Sequence, residues 1–309
     1  MKVCFVGLGS IASRHIKNLH SLYGNSVIID VVRSGLGNEI SEDNMQYINQ
    51  VFYGYSNVQT HYDAIFITNP TQMHYETLRD THNLAKNFFI EKPVFLTGDE
   101  DLDKLRLKKD GIYYVACPLR YTNVINYLKK NIDFSSIFSI RCISSSYLPE
   151  WRAGTDYRQT YSAKKGLGGG VSIDLIHEWD YINYLIGFPK YVKRIVSKKS
   201  DLEIDSDDIA VYIAEYEDKI VELHLDYFGR APIRKIELLG RDETLEVDIL
   251  KQQIAFKRKS RLLDLSEDRD SYQKRELKHF FQMIDGTVEN DNSIANACEI
   301  LKIARGKQG

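Results

Sequence analysis

The sequence predicts an α/β protein in two parts: a doubly wound parallel sheet over residues 1–119, then an α/β domain over residues 120–309 built on a large, mainly antiparallel open sheet. Three observations carry this reading. Short, continuous apolar runs alternate with helix-period segments in the first third. The first of those runs ends in a glycine turn. Beyond about Arg120 the runs follow one another directly and alternate apolar with polar residues. A chain of 309 residues is long enough to build two cores of ordinary size.

Each element can be justified in order. Val3–Val6 is a short run rich in β-branched residues, closed by Gly7. Ser10–Tyr23 carries Ile11, Ile16, Leu19 and Leu22 at helical spacing and stops at Gly24. Val27–Val32, Ala64–Ile67, Phe88–Ile90 and Tyr113–Ala116 supply four more strands. A strand that is apolar throughout is buried on both faces, the situation of parallel strands covered by crossover helices.

After Arg120 the candidates are Ile137–Tyr147, Tyr191–Lys198, Ile209–Tyr216, Ile220–Phe228, Ile233–Leu239, Thr244–Ile249 and Gln253–Lys257, with Glu217-Asp218 as a tight hairpin turn. Val221, Leu223 and Leu225 alternate with Glu222, His224 and Asp226, the mark of an antiparallel sheet with one face packed and one open. A helix over about Gly170–Leu185 interrupts the strands, and Tyr272–Ile284 and Ser293–Ala304 close the chain. The polar stretches Ser200–Asp208 and Ser266–Asp270 read as linkers.

Charge narrows the function classes. The 41 basic and 43 acidic side chains leave a net charge of −2, so no global field attracts nucleic acid or an anionic membrane. No apolar run approaches the roughly 20 residues that span a bilayer, and Met1-Lys2 leads directly into a strand-like run too short for a signal peptide. Cys4, Cys117, Cys142 and Cys298 are scattered without a CxxC pair, so they read as small apolar residues in a reducing cytoplasm, and no cluster has metal-ligand spacing.

Gly7-Leu8-Gly9-Ser10-Ile11-Ala12 is a GxGxxA turn placed between the first strand and the first helix. That context makes it a Rossmann-type dinucleotide site. Gly7 allows the tight turn, Gly9 lets the backbone approach a pyrophosphate, and Ala12 permits close packing. Ser10 and Ile11 open the helix whose N–H groups and dipole favour the phosphates. An NAD site places an acid at the end of the second strand. Here Asp30 lies inside that strand and the end reads Arg33-Ser34, suited by a planar guanidinium and a hydroxyl to a 2′-phosphate. The preferred cofactor is therefore NADP, with NAD as the alternative.

Two further segments carry a family signal. Thr68-Asn69-Pro70-Thr71-Gln72-Met73-His74 follows the third apolar strand and Glu91-Lys92-Pro93 the fourth. Gly168-Gly169-Gly170 leads into Val171-Ser172-Ile173-Asp174-Leu175-Ile176-His177-Glu178-Trp179-Asp180. With the glycine turn, these motifs resemble the Gfo/Idh/MocA family, which includes glucose-fructose oxidoreductase and inositol dehydrogenase. The resemblance runs over nearly the whole chain, to a closing pattern of Tyr272, Glu276, His279 and Phe280.

The resemblance implies an NAD(P)-dependent oxidoreductase whose substrate sits at the carboxyl ends of the parallel strands, between the two domains. It implies that Thr68, Asn69, Pro70, His74, Glu91 and Lys92 line the nicotinamide and that Lys92, Asp174 and His177 form the catalytic set. The chemistry agrees. Oxidising a secondary alcohol needs a proton acceptor, and a histidine near neutral pH is one. A lysine on the same oxygen stabilises developing negative charge. Asp174 lies one helical turn before His177, so both face the same side and the carboxylate orients the ring or raises its basicity. Many members separate these two by three residues, whereas here only Leu175 and Ile176 intervene. The shorter spacing resembles a branch of sugar and nonulosonate-pathway oxidoreductases, and puts the role of Asp174 in question.

On the substrate side, Tyr147-Leu148-Pro149-Glu150-Trp151-Arg152 and Asp156-Tyr157-Arg158 combine aromatic faces with arginines. Trp151 and Tyr157 suit a sugar ring, and Arg152 and Arg158 suit a carboxylate or phosphate, which points to an acidic or nucleotide-linked sugar. The same loop also suits docking on a neighbouring subunit. Arg120 is an anion-binding candidate by family position. The open sheet face suggests a homodimer or homotetramer. Two rival readings share the fold: a cofactor-assisted glycoside-cleaving enzyme, and a non-enzymatic NAD(P)-binding regulator, against which the presence of Lys92 and His177 counts.

Overall fold

The computed structural model describes residues 1–35, 40–58 and 60–306. The chain divides into two compact units, Met1–Pro118 with Arg269–Glu299, and Leu119–Asp268 with Ile300–Gly309.

In the first unit six parallel strands, β1 (Lys2–Val6), β2 (Ile28–Val32), β3 (Gln50–Phe52), β4 (Ala64–Ile67), β5 (Phe88–Ile90) and β6 (Tyr113–Val115), lie in the order β3-β2-β1-β4-β5-β6. This is the doubly wound parallel sheet the sequence predicts. The chain reverses its direction of winding between β1 and β4, the switch point where ligands of such sheets bind. Only β3, three residues long, escaped the pattern reading. Helices α1 (Ser10–Tyr23), α2 (Glu42–Met45) and α3 (His74–Thr81) belong to the same unit. Phe5, Phe66 and Phe89 stack across β1, β4 and β5 at 4.5 and 4.9 Å between ring centroids.

The second unit holds α4 (Asn123–Asn131), α5 (Val171–Asp174), α6 (His177–Ile186) and an eight-stranded sheet. Its strands are β7 (Ile137–Tyr147), β8 (Tyr191–Ser197), β9 (Ile209–Glu215), β10 (Ile220–Asp226), β11 (Phe228–Gly240), β12 (Thr244–Asp248), β13 (Gln253–Phe256) and β14 (Arg261–Asp264). The order is β14-β13-β12-β11-β7-β10-β9-β8, antiparallel except for the β7–β10 pair. The turn at Glu217-Asp218 is closed by the Tyr216 N–H donating to Lys219 O at 3.0 Å. Register fixes one open face: Lys193, Ile213, Glu222, Arg141, Glu237 and Glu246 are cross-strand partners in one row. Their sequence neighbours Tyr212, Leu223, Ile236 and Val247 are buried on the other side, as period-two alternation requires.

Helices α7 (Arg269–Ile284) and α8 (Ile294–Arg305) close the chain. Here the contiguous second domain 120–309 needs correction, because residues 269–299 belong to the first unit. The reason is packing: Phe280 of α7 sets its edge against Phe66 and Phe89 at 5.8 and 5.4 Å. The Glu276 carboxylate accepts hydrogen bonds from Tyr114 Oη at 3.0 Å and the Cys117 N–H at 2.6 Å. Periodicity finds such a helix but not the sheet it covers. The stretch Ser200–Asp208 is likewise no linker. Asp208 is buried and accepts from the N–H groups of Lys199 and Ser200 and from Ser200 Oγ, and Ser206 Oγ donates to Ser162 O.

Candidate active site

In the first unit the predicted cofactor residues gather at the carboxyl ends of β1, β4 and β5. Gly7 has φ +93°, and a Cβ there would lie 2.7 Å from both N and Cα of Asn69, so only glycine lets the two loops touch. Gly9 precedes α1 without a side-chain cap, and nothing lies within 4 Å of where its Cβ would be. The first-turn N–H groups of Ser10 and Ile11 thus lie at a helix start without a side-chain cap, the arrangement that a pyrophosphate fits. Thr68 Oγ1 reaches both Val6 O and Gly7 O at 3.0 Å, fastening the end of β4 to the turn. Pro70 is exposed and Lys92 half-buried.

Two expected cofactor neighbours also brace the loops. His74 is buried, with Nε2 2.9 Å from Asn69 O and Nδ1 3.1 Å from Val94 O, so its ring pins the loop after β4 to the loop after β5. Burial lowers its pKa, outweighing the two carbonyls and Glu91, which favour the charged form. Glu91 Oε1 meets His15 Nε2 of α1 at 2.7 Å, which ties the Glu-Lys-Pro segment to the helix that opens the phosphate site. His15 had no role in the sequence reading, because a lone histidine on a helix carries no signal of its partner.

The end of β2 is clear of its acid. Asp30 is buried, 3.0 Å from Lys2 Nζ, and accepts from Tyr62 Oη at 3.0 Å and Asn49 Nδ2 at 2.8 Å. It is spent inside the unit, as its early position suggested. Arg33 follows β2, its N–H donating to Phe52 O, and Ser34 is exposed beyond it.

In the second unit the glycine triplet serves close approach. A Cβ on Gly169 would meet Tyr161 O at 2.0 Å, and one on Gly170, at φ +127°, would meet the Asp207 carboxylate at 2.2 Å. Asp207 accepts from the Ser172 N–H at 2.9 Å, fixing the start of α5. The helix expected over Gly170–Leu185 is broken at Leu175-Ile176, so Asp174 ends α5 and His177 begins α6. A continuous helical face is therefore not what positions these two residues. Asp174 is buried, and its Oδ2 accepts from Tyr227 Oη at 2.5 Å. The Tyr161 hydroxyl also neighbours Asp174, and its pKa is raised by burial first and then by that carboxylate.

The acids after His177 are anchored rather than exposed on the helix. Glu178, fully buried, pairs with Arg234 at 2.7 Å. Its pKa is raised by burial, with Arg234 opposing. Asp180 grips Arg120 at two points, Nε to Oδ2 at 2.7 Å and Nη2 to Oδ1 at 2.6 Å. Arg120, expected to bind a substrate anion, is 2% exposed and committed to this internal pair.

The aromatic and arginine loop is divided in the same way. Trp151 Nε1 donates to Ser146 Oγ, and its ring lies edge-on to Tyr227 at 5.2 Å. Arg152 lies 5.9 Å from the Tyr161 ring centroid. Arg158 is exposed but takes two carboxylates, Asp156 and Glu203, and Tyr157 Oη accepts from the Glu203 N–H. Arg158 and Tyr157 thus staple the loop to residue 203. Tyr227 was missed, although period-two alternation continues the inward set Val221, Leu223, Leu225 to it, and a buried tyrosine hydroxyl needs a partner.

Comparison with known proteins follows from this geometry. Residues 1–114 match the Gfo/Idh/MocA family, described as an oxidoreductase family with an NAD-binding Rossmann fold. Along its whole length the chain is similar to the uncharacterized oxidoreductase YrbE of Bacillus subtilis, 23% identical over 327 residues that cover 98% of this chain and 92% of that one. Levoglucosan dehydrogenase, solved with NADH and levoglucosan, shares the fold at TM-score 0.83 and 17% identity, covering 99% of this chain and 95% of that one. UDP-N-acetylglucosamine 3-dehydrogenase GnnA from Acidithiobacillus ferrooxidans does so at TM-score 0.78 and 17% identity, covering 99% and 96%. Among the described residues no three or more His, Cys, Asp or Glu side chains are grouped to hold a metal ion, and no helix is long and apolar enough to cross a membrane.

Proposed function

We propose that the chain catalyses reversible, nicotinamide-dependent oxidation of a secondary hydroxyl on a sugar or sugar derivative, acidic or nucleotide-linked. The observation that carries this is the phosphate cradle: Gly7 packed on Asn69, with the uncapped start of α1 beyond bare Gly9. Gly7, Gly9, Ser10, Ile11, Thr68, Asn69 and Pro70 hold the dinucleotide, while His74 and Glu91 brace the loops that carry it. When bound, the nicotinamide supplies the hydride acceptor. His177 accepts the hydroxyl proton, Lys92 donates a hydrogen bond to the same oxygen as negative charge develops, and Asp174 keeps the proton acceptor basic. Similarity to dehydrogenases of levoglucosan and UDP-N-acetylglucosamine supports a carbohydrate substrate. Trp151 and Arg152, on the exposed part of the loop, are the substrate contacts this reading favours.

NADP is the preferred cofactor in this reading. Asp30 is consumed by Lys2, Asn49 and Tyr62, and Arg33 and Ser34 follow the strand in its place. Titration of the purified protein with NADPH and NADH, followed by nicotinamide fluorescence, tests it. Tighter NADPH binding that is lost in Arg33→Ala supports it, and NADH binding as tightly as NADPH rejects it. Incubation of the loaded protein with levoglucosan, UDP-N-acetylglucosamine and free acidic sugars then tests the reaction by the appearance of reduced nicotinamide.

The open sheet face suits self-association into a homodimer or homotetramer, since Ile195, Ile213 and Leu262 are exposed on it beside the Arg141–Glu237 pair. A monomer at every concentration in light scattering would rule this out.

A further inference from the structure

We infer that Tyr227 is a positioning residue of the reaction: its hydroxyl holds the Asp174 carboxylate in place where α5 breaks. This rests on the functional reading just given.

The geometry is that of a fixed donor and not of a tyrosine filling space. Tyr227 is fully buried, Asp174 is 4% exposed, and the Oη–Oδ2 distance is 2.5 Å, within the range of a hydroxyl donating to a carboxylate. The backbone of Tyr227 is held on both sides, its N–H donating to Asp208 O at 3.0 Å and its carbonyl accepting from the Leu148 N–H at 2.9 Å. Asp208 is itself locked by Lys199, Ser200 and Lys198. The Trp151 ring meets the phenol edge-on at 89°. The donor is thus built on strand ends, while its acceptor sits where α5 breaks. That placement answers the question raised by the shortened Asp174–His177 spacing: the carboxylate is aimed by a residue 53 positions away in the chain and not by a helical face.

Tyr161 and Asp207 neighbour Tyr227 and Asp174, Arg152 neighbours Tyr161, and His177 follows Asp174 by three residues. The phenol stays protonated, because burial and then the Asp174 charge raise its pKa. It therefore acts only as a donor. Removing it leaves a buried carboxylate without the donor that fixes its orientation.

The test uses the full-length protein loaded with NADPH. Protein carrying 13C-aspartate is titrated by infrared spectroscopy, and the Asp174 band is identified by its loss in Asp174→Asn or Asp174→Glu. In Tyr227→Phe that band should shift and broaden relative to the wild type, because the carboxylate loses its fixed donor. With any sugar oxidised by the wild type, kcat should fall about tenfold while KM stays within twofold. Should Tyr227→Phe fail to fold, Tyr227→Met repeats the measurement. An Asp174 band that does not move overturns the inference and leaves the proposed function standing. Activity that survives His177→Ala ends the functional reading while leaving the Tyr227–Asp174 bond intact.

Discussion

Arg120 and Asp180 form a two-point ion pair away from solvent, with donor–acceptor distances of 2.7 and 2.6 Å and side chains 2% and 3% exposed. Removing one partner of such a pair strands a buried charge, at a cost of about 3–5 kcal/mol. We predict that Arg120→Met and Asp180→Leu each destabilise by that order in urea denaturation. The double variant should regain a large part, since apolar pairs replace buried ion pairs at little net cost. A loss confined to activity, with the unfolding midpoint unchanged, would instead restore Arg120 as a substrate anchor.

Gly7→Ala strikes the contact between the first turn and Asn69. The new Cβ would lie 2.7 Å from backbone atoms at φ +93°. Strain and overpacking together predict a loss on the order of 2–4 kcal/mol. Dinucleotide affinity should fall at least tenfold, read by nicotinamide fluorescence. Gly9→Ala, whose Cβ meets nothing in the protein, should leave stability unchanged while still weakening the dinucleotide.

His74 makes stability depend on pH. Its folded pKa is depressed by burial, so the unfolded chain binds the extra proton first as pH falls. The stabilisation from the neutral ring is complete above the unfolded value of about 6.5 and is lost progressively below it. Unfolding free energy measured between about pH 7.5 and 5.5 should fall more steeply for the wild type than for His74→Gln. The difference is bounded by about 1.4 kcal/mol per pH unit. Parallel curves would show that His74 does not titrate in this way.

Arg158→Ala should be nearly silent. Its guanidinium is exposed and shared between Asp156 and Glu203, and exposed pairs contribute about 0–1 kcal/mol. Steady-state kinetics should show kcat/KM within twofold of the wild type. Arg152→Ala, on the same loop, is the variant expected to raise KM.

The sheets were legible because burial leaves period-two and continuous apolar patterns in the residues themselves. Val3–Val6 and Val221–Leu225 state their environment in their own composition. Strands of marginal length or at an edge, Gln50–Phe52 and Arg261–Asp264, do not. The motif glycines were legible for the same reason, since Gly7 and Gly170 occupy backbone angles few other residues adopt. What was not legible is pairing at a distance. Arg120 with Asp180, His15 with Glu91 and Tyr227 with Asp174 join residues 60, 76 and 53 positions apart. Polar candidates that looked ready for a ligand were therefore partly internal braces. The break at Leu175-Ile176 was hidden as well, because both residues are good core formers and no proline or glycine announces the interruption.

The central claim is that Lys92 and His177 carry hydride-coupled oxidation of a carbohydrate hydroxyl. The most direct measurement is the rate of nicotinamide reduction by the wild type, His177→Ala and Lys92→Ala, with the sugar found most active in the screen. The account predicts a fall in kcat of about 10²–10⁴ for His177→Ala, the span of general acid–base catalysis, with NADPH affinity of that variant within twofold of the wild type. It predicts a comparable fall for Lys92→Ala. Turnover that persists undiminished in both variants would contradict it.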